Sequence, residues 1–210
     1  MSTSLSLLFL GATTTISLVA AIGAQGTFVL RQGITGRHIT PIIIFCVLSD
    51  ALMIGLGVVG LGALLDAAPW FMEVLRYVGA AFLAWFGYES AKRVFTPHAV
   101  VVEEGTEDAQ SLKAALLTTA AVTYLNPLAW LDTTIFLGSL ANTQGDPGRW
   151  WYYLGCCCGS VLWFLMIGYG SRILRPLFAC PEAWRVLDAA VALLMVYLVF
   201  NLLTMDLSAH

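Results

Sequence analysis

Charge is scarce in this chain. Only 11% of its 210 residues are Asp, Glu, Lys or Arg, against 59% apolar, whereas soluble domains carry about a quarter charged residues. Water is therefore not its main solvent. Histidine is limited to His38, His98 and His210, all outside the apolar runs, which argues against a preformed zinc or haem site, and no cofactor is expected. The cysteines Cys46, Cys156, Cys157, Cys158 and Cys180 show no CxxC or Cys/His spacing, and consecutive residues point about 100° apart on a helix. No disulfide framework follows. The first four residues also lack the basic charge of a cleavable secretory signal, so the first apolar run is expected to be retained.

What is present is a series of long apolar runs. Leu5 to Leu30 contains no acidic or basic residue, and about 18 or more such residues suffice to cross hydrocarbon of roughly 30 Å as a helix. Further runs fall at about 39 to 65, 70 to 91, 112 to 141, 150 to 171 and 183 to 204, which reads as six spans. The expected fold is an all-α membrane protein with six transmembrane helices in two inverted three-helix repeats, residues 1–95 and 112–210. Between them lies a flexible acidic loop, 96–111, with Pro97, Glu103, Glu104, Glu107 and Asp108. Aligned without gaps, Leu75 to Tyr88 and Trp184 to Tyr197 share Arg76/Arg185, Ala80/Ala189, Ala81/Ala190 and Tyr88/Tyr197. Inverted repeats with a midplane site are one way to build alternating access.

Orientation follows from the basic residues, which concentrate in cytoplasmic joints. Arg31, Arg37, Lys92, Arg93, Lys113, Arg172, Arg175 and Arg185 fall in joints one, three and five, against Arg76 and Arg149 on the other side. With six spans, both termini lie outside and Trp70, Trp150 and Trp151 join an outer aromatic belt.

Two acids stand out within the runs. Asp50 has no other charge between Ile39 and Leu65, and a carboxylate at that depth costs about 2.5–3.5 kcal/mol, so it must pair, protonate or line a wet cavity. Asp132 lies in the fourth run, five residues past Pro127. Proline removes a backbone donor, so the helix is expected to break at Asn126-Pro127 and expose backbone groups that can coordinate a substrate. In the first half the corresponding interruption is Gly23-Ala24-Gln25-Gly26, a hinge or, equally, a close helix contact. The candidate substrate- or proton-binding residues are Asp50, Asp132, Gln25 and Asn126, with helix breaks at Gly23, Gly26 and Pro127.

Other features take a structural reading. Glu89 with Lys92 and Arg93, Glu73 with Arg76, and Arg185 with Asp188 have the spacing of helix-surface pairs. Gly155 and Gly159 bracket the three cysteines in a small-xxx-small pattern suited to a helix interface, which leaves room for a homodimer.

Four segments together resemble the LysE/ArgO family of basic amino acid exporters. They are GAQGTFVLRQG (Gly23 to Gly33), Ser49-Asp50, TYLNPLAWLDT (Thr123 to Thr133) and GDPGRW (Gly145 to Trp150), spread over nearly the whole chain. The chain departs from the pattern at Gly26, where asparagine commonly follows the glutamine. The resemblance implies a multi-pass protein of the bacterial cytoplasmic (inner) membrane, not an enzyme, exporting L-lysine, L-arginine or toxic analogues through an aspartate pair that matches Asp50 and Asp132. A cation leaving a cell that is negative inside moves against about 2.3 kcal/mol per 100 mV, so protons are the expected counter-substrate. The competing readings are a divalent metal exporter using the same acids and a membrane thiol oxidoreductase acting through Cys156, Cys157 or Cys158. Nucleic acid is not an expected partner.

Overall fold

A computed structural model describes residues 2–19, 23–36, 38–60, 69–95, 111–174, 176 and 181–204. The acidic loop after Phe95, with Arg37, Arg175, Cys180, His98 and His210, lies outside the described residues.

The described chain is helical, as hydrocarbon requires: a backbone that cannot reach water must satisfy its own N–H and C=O groups. In order the helices are α1 (Ser2–Val19), α2 (Ala24–Thr35), α3 (Ile39–Val58), α4 (Pro69–Phe95), α5 (Leu112–Tyr124), α6 (Pro127–Asn142), α7 (Gly148–Gly170) and α8 (Pro181–Thr204). Residues 131–137 in the middle of α6 are π-helical, and a short 3-10 turn, Ser171–Leu174, follows α7. Gly36 ends α2 in the left-handed region at φ 73°, where glycine carries no Cβ penalty, and returns its N–H to the Gln32 carbonyl. Ser111 opens α5 by accepting from the Ala114 amide.

Three helices, 39–58, 148–173 and 182–204, are long and apolar enough to cross a membrane. The pairs α1/α2 and α5/α6 add two more if each is one broken span, bent by 86° and 65°. Both bends fall where glycine or proline interrupts the run. The third run forms the 27-residue α4, but its Glu73, Arg76, Glu89, Lys92 and Arg93 keep it outside that count. One boundary differs from the sequence expectation: α2 continues through Arg31 to Thr35, so Arg31 belongs to a helix and not to the first joint.

α1 lies along α7, α4 along α8, and α3 between α7 and α6. Small residues permit the close crossings. A Cβ at Gly155 would strike the Leu8 backbone, and one at Gly159 would meet the Ala12 carbonyl. The small-residue spacing on α7 is thus used by α1 of the same chain and supplies no argument for a second copy. Gly57 of α3 abuts Thr134 and Gly138 of α6 in the same way.

Gly57→Ala forces its methyl against backbone, and overpacking of this kind costs about 1–3 kcal/mol. Gly23→Ala meets nothing within 4 Å, at φ −95°, and is expected to stay within about 0.5 kcal/mol. Thermal unfolding of the two variants in detergent checks the contrast.

Candidate functional site

The second break is built from local chemistry. Pro127 has no N–H to offer the preceding turn, so carbonyls at the end of α5 lose their helical partners. Trp130 replaces one donor, its indole Nε1 bonding the Tyr124 carbonyl at 2.9 Å. Asn126 caps the new helix start, its Oδ1 accepting from the Leu128 amide at 3.2 Å. Gly79 of α4 seats against this corner, where a Cβ would collide with the Leu125 carbonyl and approach Pro127 Cδ. Asn126 also lines a small cavity with Leu83, Leu128, Leu198, Asn201 and Leu202. Neither aspartate lines it.

Asp50 lies where three helices cross. Its side chain is buried, with the residue 4% exposed, and the Ser160 hydroxyl of α7 donates to Oδ2 at 2.6 Å. On either side, Tyr124 donates its hydroxyl to Ser49 Oγ at 2.9 Å, and Tyr153 donates to the Ala51 carbonyl at 3.1 Å. Three consecutive residues of α3 are thereby fixed from α5 and α7.

Asp132 has a different environment. It falls in the π-helical stretch of α6, half-buried, and makes no hydrogen bond or ion pair with any described residue. Tyr124 meets Ser49, while Thr134, Gly138 and Asn142 meet Gly57. α6 therefore packs on α3 at Gly57, and the end of α5 packs on it at Ser49. Gly57 meets α6, whereas the Asp50 side chain is bonded to Ser160 of α7. The two carboxylates share no hydrogen bond.

The first break places Gly23 as N-cap of α2, its carbonyl receiving both the amide and the hydroxyl of Thr27. Gly26 is buried. Gln25 reaches toward the buried Cys46 thiol, yet its Nε2 has no hydrogen-bond partner. Thr123 Oγ1 and Thr134 Oγ1 share that condition. Among the described residues these three groups have no hydrogen-bond acceptor or donor within reach, and buried donors are costly to leave unpaired.

Two expected surface pairs take other partners. Asp188 is only 4% exposed and joins Arg31 of α2 at 2.9 Å, whereas Arg185 faces out. Spacing along one helix could not reveal a partner 157 residues away. Arg76 donates to the Leu203 carbonyl near the end of α8, where a cation complements the helix dipole; Glu73 is exposed. Ser160 and Tyr124 also escaped sequence reasoning as site residues, though a lone serine after Cys158-Gly159 and a tyrosine before a break were visible signals. Cys156, Cys157 and Cys158 pass from buried through half-buried to exposed, three directions around α7.

Likeness to known proteins gives the family. The LysE type translocator family matches residues 16–206. The lysine exporter LysE of Corynebacterium diphtheriae is 35% identical over 90% of this chain and 94% of its own. The arginine exporter protein ArgO of Klebsiella pneumoniae is 31% identical over 89% of this chain and 88% of its own, and that of Enterobacter sp. is 33% identical over 94% and 93%. No solved structure matches. With the match running nearly end to end, the chain belongs to the LysE type translocator family and is a multi-pass membrane transporter, not an enzyme.

Proposed function

We propose that this protein exports cationic L-amino acids, arginine or lysine and their toxic analogues, across the bacterial cytoplasmic membrane in exchange for protons. The observation that carries the reading is Asp50. A carboxylate buried among apolar helices and held by a single serine hydroxyl is an expensive feature for a scaffold. It is a useful one for a carrier of cations. Asp132, without a partner among the described residues and in a π-helical stretch beside a broken helix, supplies the second acid. π-helical stretches are frequent at functional sites. Gln25 Nε2 and the cap residue Asn126 offer amide groups at the two breaks. The named lysine and arginine exporters among the relatives support the same substrate class.

On this reading a cargo cation and a proton occupy Asp50 and Asp132 in turn. One-for-one exchange with a proton cancels the electrical cost of about 2.3 kcal/mol per 100 mV for each exported charge.

The same proposal takes residues 1–95 and 112–210 as inverted three-helix repeats, with α4 as a sixth crossing. It is supported by α3 packing on α7 and α4 on α8, helices with corresponding places in the two halves. It is also supported by a break in the first span of each half. Most of the basic residues then face the cytoplasm, with Arg76 and Arg149 on the other side, and both termini lie outside. Trp70, Trp150 and Trp151, all exposed at the starts of α4 and α7, suit an outer aromatic belt.

Proton-gradient-driven efflux of labelled arginine and lysine from proteoliposomes tests the function. Asp50→Asn and Asp132→Asn should each lower efflux about tenfold or more, the loss of one charge-assisted bond. Full efflux by both at equal protein content would remove these acids from the mechanism. Ser160→Ala, which strips Asp50 of its bond, should lower stability by about 1.5–3 kcal/mol, read by thermal unfolding of the same samples.

A further inference from the structure

Asp188 shows how this chain holds a guanidinium. Arg31 Nη1 lies 2.9 Å from Asp188 Oδ1, and the Arg31 guanidinium carbon stands 6.0 Å from the centre of the Trp184 ring. Trp184 and Asp188 are four residues apart on α8, hence on one face. A carboxylate with an aromatic ring one turn away is a good cation site, combining a charge-assisted bond with the ring's electron-rich face. The site is screened: the side chain of Asp188 is 6% exposed and that of Arg31, the more open of the two, 22%.

Its occupant is a side chain of the same chemistry as the proposed cargo. Arg31 belongs to α2, the second part of a broken span, and is joined to α8 across 157 residues of sequence. A basic amino acid carries a side-chain cation at one end and an α-carboxylate at the other. Inserted between the two residues, it would meet Asp188 with its cation and Arg31 with its carboxylate. One ion pair opens and two form, so the charges of Arg31 and Asp188 both stay compensated, and the cargo's α-ammonium lies outside this pair.

We infer that Arg31 and Asp188 form a second recognition site for the cargo, distinct from Asp50 and Asp132, in which Asp188 takes the side-chain cation and Arg31 the α-carboxylate. The inference rests on the proposed export of basic amino acids. On the orientation proposed above it lies toward the cytoplasmic end, where cargo enters. Trp184 supports the cation beside Asp188, and the internal pair keeps both charges satisfied between cargo molecules.

The test is exchange of labelled arginine by the purified full chain in proteoliposomes. Three unlabelled competitors are used: arginine, agmatine, which lacks the carboxylate, and citrulline, which lacks the side-chain cation. Arg31→Gln should raise half-saturation by arginine about tenfold or more while agmatine stays within about twofold. Arg31→Lys should restore much of the arginine affinity. Asp188→Asn should weaken arginine and agmatine alike, about tenfold or more, and leave citrulline unchanged. A static tie between α2 and α8 gives another pattern: both variants lower the maximal rate for arginine with half-saturation unaltered, and this result overturns the proposal. If either single variant fails to fold, the charge-swapped pair Arg31→Asp with Asp188→Arg decides, since it keeps the tie. Wild-type half-saturation in the swap overturns the proposal, and a folded swap with half-saturation raised about tenfold supports it. A wild-type protein that exchanges neither arginine nor lysine would overturn the proposed function itself, and this site with it.

Discussion

The bond from Ser160 to Asp50 is the contact around which the other helices are arranged. An acid within an apolar bundle has to be met by a polar group at hydrogen-bond distance, so α3 and α7 must cross where their one-residue contributions coincide. The neighbouring bonds at Ser49 and Ala51 follow from the same crossing, because a helix fixed at one residue offers its adjacent faces to whatever lies on either side. Tyr124, the residue that reaches Ser49, is also the last of α5. The acid and the second helix break are therefore mechanically connected through a single side chain.

That connection gives the break a function beyond bending the chain. Pro127 frees carbonyl groups that hydrocarbon would not tolerate; the Trp130 indole donates to one of them, and Asn126 accepts an amide at the new helix start. The hydrogen-bond repair is local, and Gly79 of α4 packs against the corner from outside. The π-helical stretch that follows carries Asp132. Its wider turn rotates later residues relative to an α-helix, and Thr134 and Gly138 still meet Gly57 closely enough to forbid any side chain there.

Much of this could be read from residue types. Long uncharged runs mark helices because the backbone has no alternative in lipid, and proline or paired glycines mark where those helices bend. Lone acids inside such runs are conspicuous for the same reason: Asp50 and Asp132 have no nearby charge to explain them. What could not be read was partnership across the sequence. Asp188 was assigned to Arg185 by helical spacing, but the direction a helix face takes is set by tertiary packing, and that packing turned Asp188 toward Arg31. Ser160 was hidden because a serine is a weak anomaly beside three cysteines. By sequence Arg31 reads as a joint residue, since a basic residue after an apolar run usually marks the end of a span. Here its charge is met by Asp188, so the helix carries it onward.

The described surroundings of the two breaks differ in chemistry, and in the proposed arrangement of inverted halves this bears on how the carrier acquires a direction. In the gapless alignment of α4 with α8, Asp188 corresponds to Gly79. In one half the position carries a carboxylate that binds an arginine from the broken span. In the other it is bare, and the break's own backbone packs directly onto α4. Asp132, about two turns beyond the second break, accordingly has no counterpart to the Arg31–Asp188 pair. Halves with identical closures would leave inward and outward states equal in energy. An ion pair on one side and close backbone packing on the other make them unequal, because an ion pair can be opened by a ligand with complementary charges whereas packed backbone cannot. In the proposed exporter, the side where cargo is captured is therefore the side whose closure the cargo itself can replace.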